Sequence, residues 1–157
     1  MQEKDILILG LGNEILSDDG IGPRLARNFS ETIDNPEINT ATACCGGLEI
    51  MENIRGYKKV IIIDAIKTRD GKPGDVYYFT PGDFMETSNL SSVHDVNFMT
   101  ALRLGDILNL DLPGELHIIA VEITEDREFS EDLTPSLREK YPEILEEVSS
   151  LIRKILS

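Results

Sequence analysis

The sequence reads as an α/β chain: a single domain with a largely parallel, twisted sheet in a three-layer α/β/α arrangement. Three observations carry this reading. Ile6–Leu9, Val60–Ile63 and Leu116–Val121 are apolar runs of strand length with no polar face, the pattern of parallel strands covered on both sides. Segments with helical spacing alternate with them. Glycine-rich or acidic breaks follow the strand ends.

Each element can be justified in order. Ile6–Leu9 is the first strand, broken by Gly10-Leu11-Gly12-Asn13. Ile21, Leu25 and Phe29 share a helical face, with Pro23 tolerated in the first turn. Ile38–Ala43 is a second strand, followed by the break Cys44-Cys45-Gly46-Gly47. Leu48, Met51 and Ile54 mark a short helix closed by Gly56. Val60–Ile63, all β-branched, is expected to stop at Asp64. Gly71-Lys72-Pro73-Gly74 is a turn leading into a strand over Val76–Thr80. Pro81 to His94 reads as loop, Asp95–Leu104 as helix and Leu116–Val121 as strand. Thr134-Pro135 starts a helix that Tyr141-Pro142 is expected to interrupt. A further helix then runs to Ile155 on Leu145, Val148, Leu151 or Ile152, and Ile155.

The 157 residues fit one domain, 1–157, able to bury roughly 68–70% of its unfolded surface. With 41% hydrophobic and 28% charged residues, the composition is that of a folded chain rather than a disordered one. Acidic residues outnumber basic ones, 29 to 15, for a net charge of −14. That balance argues against nucleic acid and against anionic membranes as partners. Ile6–Leu9 is too short for a signal h-region and no run has the length of a membrane helix, so a soluble, cytoplasmic protein is expected. Cys44 and Cys45 are adjacent, about 3.8 Å apart at Cα, too close for an unstrained disulfide. Thiols are expected, with buried structural cysteine the ordinary role and a transient metal contact the alternative.

In open α/β sheets, ligands bind outside the carboxyl ends of the strands. Four segments sit there: Gly10 to Asp19, Cys44 to Gly47, Asp64 onward and Glu122 onward. The first is not a dinucleotide fingerprint, because Ile15 stands where the third glycine belongs, and no Gly-Lys-Ser/Thr follows. It is a glycine-rich turn delivering Asp18 and Asp19, of which Asp18 is the better candidate to cap the next helix. Asp64 is either a turn former or a functional carboxylate. His94, in Ser91-Ser92-Val93-His94-Asp95, precedes a helix, whereas His117 lies within a strand pattern and reads as structural. Gly46 and Gly47 make a turn that could also let an extended substrate approach the backbone. Glu122 either lines a cleft or ends a strand in solvent. Two carboxylates and an imidazole at one sheet end suit a divalent transition metal or general acid–base chemistry, and spacing leaves both open.

Three segments carry a family resemblance. Ile-Leu-Gly-Leu-Gly-Asn-Glu-Ile-Leu-Ser-Asp-Asp-Gly-Ile-Gly at 8–22 resembles the opening motif of the hydrogenase maturation endopeptidases. Val-Ile-Ile-Ile-Asp-Ala-Ile at 60–66 resembles their second motif, and Ser-Ser-Val-His-Asp-Val at 91–96 their histidine motif. Gly74-Asp75-Val76 and Ala120-Val121-Glu122 also fall in family order, so the resemblance spans nearly the whole chain. It implies removal of a C-terminal extension from the large-subunit precursor of a nickel-containing hydrogenase, after nickel insertion. It also implies Asp19, Asp64 and His94 as the catalytic and metal-binding residues. The metal would be nickel supplied by the substrate, with other divalent metals able to occupy the site. The first position is often Glu in the family; Asp19 is one methylene shorter, and Asp18 is the alternative there. The expected partner is the nickel-loaded precursor, and the expected state a monomer.

Three rival readings differ in class. A peptidyl-tRNA hydrolase also opens with a strand and Gly-Leu-Gly-Asn, but continues with Pro-Gly where Glu14-Ile15 stand here, and −14 is the wrong charge for tRNA. A nickel-sensing chaperone would use the same three ligands without cutting. A plain α/β binding domain would hold no metal.

Overall fold

Within each apolar run, successive side chains alternate between faces, so Leu7 and Leu9 point one way and Ile8 the other. A sheet built this way needs cover on both sides. A computed structural model of the chain, describing residues 4–44, 47–80 and 112–157 with backbone alone at 4, 47 and 48, meets that demand. The expected loop from Pro81, the helix Asp95–Leu104, and the site candidates His94, Cys45 and Gly46 lie outside the described residues.

The strands are β1 (Lys4–Leu11), β2 (Ile38–Ala43), β3 (Tyr57–Ile66), β4 (Val76–Phe79) and β5 (Glu115–Glu122). The helices are α1 (Ile21–Ser30), α2 (Gly47–Ile54) and α3 (Pro135–Leu156), with a 3-10 turn over Ser17–Gly20. The sheet order is β2-β1-β3-β5-β4, parallel except for β4, which pairs antiparallel to β5. On one face Ile8, Ile61, Ile63, Ile119 and Val121 pack with Ile21, Leu25 and Phe29 of α1 and with Leu137, Ile144, Val148 and Ile152 of α3. On the other, Leu7, Leu9, Val60, Ile62 and Ile118 pack with Ile50 and Ile54 of α2. This is the expected three-layer α/β/α arrangement. Each large apolar side chain so buried contributes about 1.5–3 kcal/mol. No helix among the described residues is long and apolar enough to cross a membrane.

Two expectations need correction. β3 does not stop at Asp64 but runs to Ile66, because its ladder with β5 continues through Asp64↔Ala120, Ala65↔Val121 and Ile66↔Glu122. Nor does Pro142 divide the last helix: α3 is continuous with Pro142 inside it. Pro142 removes the bond to the Arg138 carbonyl, but both residues are exposed, so water can serve that carbonyl. Leu137 on one side of the proline and Ile144, Val148 and Ile152 on the other are all buried in one cluster, which holds both halves in line. The buried stripe is therefore Ile144, Val148 and Ile152, with Leu145, Leu151 and Ile155 at its margins.

The topology places the site. From β1 the chain crosses by α1 to β2, and from β2 it returns by α2 to β3 on the far side of β1. The two crossover helices pack on opposite faces. The switch point is thus the gap between the carboxyl ends of β1 and β3, where such sheets bind ligands.

Candidate functional site

Two acidic residues flank this switch point. The chain leaves β1 through Gly12, whose φ of 146° suits glycine alone. A Cβ there would meet the Asp19 carbonyl at 2.0 Å, so the glycine lets the 3-10 turn fold back tightly. Asp19 is buried in that turn, and its Oδ2 accepts the N–H of Asn13 at 2.7 Å. Asn13 in turn accepts the N–H of Ile15 on its side-chain oxygen at 3.1 Å, an Asx turn that shapes the loop around the acid. Ser17 is buried with φ of 53°, a left-handed conformation unusual for a side-chain-bearing residue. Its N–H donates to the Ser130 carbonyl at 2.8 Å and its hydroxyl to the Asp132 carbonyl at 3.2 Å, which hold the bend in place.

Asp64 reaches the same end from β3. The β1–β3 ladder ends at Gly10↔Ile63, so Asp64 is the first residue of β3 beyond it. It is buried, and its Oδ1 accepts the Ala65 N–H at 2.8 Å. The 3-10 turn packs against β3, and Gly22 at the start of α1 sits where a Cβ would be 2.4 Å from the Ile63 carbonyl. Asp19 and Asp64 therefore come from adjoining elements at one sheet end.

Asp18 has a different surrounding. It does not cap α1, whose N-cap Gly20 has no side-chain bond, because its carboxylate turns toward residues 124–134. There Oδ1 accepts the Thr134 N–H at 2.7 Å, and Oδ2 accepts the Thr134 hydroxyl at 3.0 Å and the N–H groups of Glu125 and Thr124 at 3.2 and 3.4 Å. Both oxygens of this fully buried carboxylate are engaged in holding the chain together.

Glu122 neither lines an open cleft nor ends in solvent. It is buried, accepting the Thr68 N–H at 2.8 Å, the Thr68 hydroxyl at 2.5 Å and the Tyr77 hydroxyl at 3.1 Å. It ties the segment after β3 to β4 and β5. Burial is the main influence holding the Tyr77 hydroxyl above its ordinary pKa, so it stays a donor. His117 is structural as expected: its Nδ1 lies 2.5 Å from the Tyr78 hydroxyl, at the level of Ile61 and away from the site end.

A groove of about 270 Å³ runs between the turn after β1 and the end of β2, with Asn13, Ile15, Pro23, Thr42 and Cys44 on its walls. Cys44 is exposed rather than buried, because β2 borders the sheet and its side chains beyond Ala43 leave the core. Gly47 begins α2. Among the described residues no group of three His, Cys, Asp or Glu side chains is placed to hold a metal. Asp19 and Asp64 are hard oxygen donors of the kind that divalent first-row metals accept alongside imidazole. Chemically, two buried carboxylates can ligate a cation or take a proton from water.

Sequence reasoning missed Asn13 and Thr134. An asparagine in a glycine-rich turn was a readable signal for Asn13. Nothing local marked Thr134 as the partner of an acid so distant in the chain.

Comparison with known proteins gives a consistent result. A family model described as hydrogenase maturation protease matches residues 23–151. The hydrogenase 2 maturation protease of Escherichia coli K12 is 25% identical over 154 residues, covering 95% of this chain and 91% of that protein. Among solved structures, the hydrogenase maturating endopeptidase HybD from E. coli superposes with a TM-score of 0.76 at 24% identity, covering 96% of this chain and 93% of that one. The [NiFe] hydrogenase maturation protease HybD from Thermococcus kodakarensis gives 0.73 at 24% identity, covering 94% and 98%.

Proposed function

The chain belongs to the hydrogenase maturation protease family, and from that premise we propose that it removes the C-terminal extension of a nickel-containing hydrogenase large-subunit precursor after nickel insertion. The enzyme works as a monomer in the cytoplasm. The observation that carries the reading is the placement of Asp19 and Asp64, both buried, on adjoining elements at the β1/β3 switch point.

Nickel here belongs to the substrate, held by the precursor's own cysteines. Asp19, Asp64 and His94 add ligands to it and so place the scissile peptide beside them. Asn13 and Ala65 orient the two carboxylates through their backbone N–H groups. A carboxylate at this position can take a proton from the attacking water. The water oxygen then bonds to the peptide carbonyl carbon, the C–N bond breaks, and the proton passes to the leaving nitrogen. The groove lined by Asn13, Thr42 and Cys44 gives an extended tail a path to the site.

The experiment uses nickel-loaded precursor with mass readout of its C-terminus. Asp64→Ala and His94→Ala are expected to lower the rate by about a hundredfold or more, the scale of a lost acid–base or ligating group. Unchanged cleavage by both variants would contradict the site assignment.

A further inference from the structure

We propose that the cavity between α1 and α3 is a second, anion-binding site that takes a short aliphatic carboxylate. The cavity measures about 470 Å³ and is lined by Arg24 and Asn28 of α1, Arg138 and Tyr141 of α3, and Asp132 in the segment before α3.

Its hydrogen-bond inventory is lopsided. Arg24 donates from Nη2 to the Glu131 carbonyl at 2.8 Å, while its Nε is buried with no partner among the described residues. Arg138 donates from Nη2 to the Leu133 carbonyl at 3.2 Å. A guanidinium carries five N–H donors, so each leaves most of them for another acceptor. The Tyr141 hydroxyl accepts from Asn28 Nδ2, which leaves its own hydrogen to give. Burial keeps that hydroxyl protonated above its usual range. Against these donors the wall offers one carboxylate, Asp132, and neither arginine forms an ion pair with it or with any other described acid.

That last fact is informative in this chain. With 29 acidic and 15 basic residues, a surface arginine has carboxylates in surplus to pair with. Two arginines left without a paired carboxylate among the described residues, on facing helices around one cavity, form a built receptor for an acceptor-rich group. Planar guanidinium forks match carboxylate oxygens. Asp132 on the wall and the overall negative charge disfavour a doubly charged phosphate, and Leu133 and Pro142 offer apolar contact to a short methylene chain. Asp132 on the cavity wall also accepts the Ser17 hydroxyl on its carbonyl at 3.2 Å, which ties the wall to the turn that carries Asp19. The carboxylate thus comes either from an acidic side chain of the docked precursor, which rests on the proposed function, or from a free small acid.

The test titrates the full chain with sodium glutarate, with sodium chloride at matched ionic strength as control, and follows the arginine Nε–H signals by NMR. Saturable shifts at Arg24 and Arg138 are expected. They should vanish in Asn28→Asp, which adds a negative charge to the wall while leaving both arginines, and in Arg138→Gln, each checked for native thermal unfolding. No saturable shift in the wild type, or shifts that persist in both folded variants, would overturn the site. Precursor cleavage then separates the sources. A rise in KM of about tenfold in Arg138→Gln with kcat unchanged assigns the carboxylate to the precursor, the scale of one lost charge-assisted bond. An unchanged KM alongside wild-type glutarate binding assigns it to a free acid. Absence of any cleavage by the wild type would refute the protease reading while leaving the glutarate result to stand or fall alone.

Discussion

Thr134 grips both oxygens of Asp18, its N–H donating to Oδ1 at 2.7 Å and its hydroxyl to Oδ2 at 3.0 Å. The two residues lie 116 positions apart, so this one contact fastens the turn after β1 to the start of α3. Thr134 is the N-cap of α3, and its hydroxyl serves Asp18 instead of its own helix. Asp19, the next residue, accepts from Asn13 in the opposite direction along the chain. Adjacent acids of the same type therefore divide the work: Asp18 positions the turn, and Asp19 is carried to the switch point.

This division predicts opposite phenotypes. Asp18→Asn would turn an amide N–H₂ against backbone donors and is expected to cost roughly 2–3 kcal/mol of stability. Asp19→Asn keeps an oxygen for the Asn13 N–H and is expected to cost less stability than Asp18→Asn while abolishing precursor cleavage. Urea unfolding at neutral pH measures both. Equal losses of stability would contradict the division.

A second prediction concerns Glu122 and Gly71. A Cβ on Gly71 would lie 1.7 Å from Glu122 Oε1, so Gly71→Ala should destabilise the segment that Glu122 anchors. Glu122→Ala removes the acceptor for Thr68 and Tyr77 and is expected to cost roughly 2–3 kcal/mol. Because the alanine also removes the clashing carboxylate, the two losses should fall short of additive by more than about 0.5 kcal/mol in a double-mutant cycle. Full additivity would show that the two residues do not meet.

Alkaline pH provides a third. Burial raises Tyr141 above the usual 10.0, outweighing the opposing effects of Asn28, Arg24 and Arg27. The folded chain then keeps a proton that the unfolded chain releases, so stability is intact below pH 10 and declines as pH rises through the folded-state pKa. Tyr77 shifts in the same direction, mainly through desolvation. Tyr141→Phe should therefore flatten part of the fall in Tm above pH 10. An alkaline slope identical to wild type would exclude this linkage.

The strands were legible because β1, β3 and β5 are buried on both faces, which leaves continuous apolar runs in the sequence. The end of β3 was not, since the first polar residue, Asp64, looks like a terminus until its pairing with Ala120 is known. Pro142 misled for a related reason: a local helix breaker is overridden by the packing of Leu137 and Ile144 on either side. In the site, motif order pointed to Asp19 and Asp64, and both stand at the expected sheet end. That Asp18 fastens the start of α3 depended on Thr134, and the burial of Glu122 depended on Thr68 and Tyr77. Such long-range pairings leave no local trace. Cys44 was expected to be buried from its residue type alone, and the edge position of β2 decides otherwise.

The most direct test of the central claim compares cleavage of nickel-loaded and nickel-free precursor by the wild-type chain, read by the mass of the precursor's C-terminus. Recognition of substrate-held nickel by Asp19, Asp64 and His94 predicts rapid processing of the loaded form and none of the nickel-free form. Equal processing of both would contradict it.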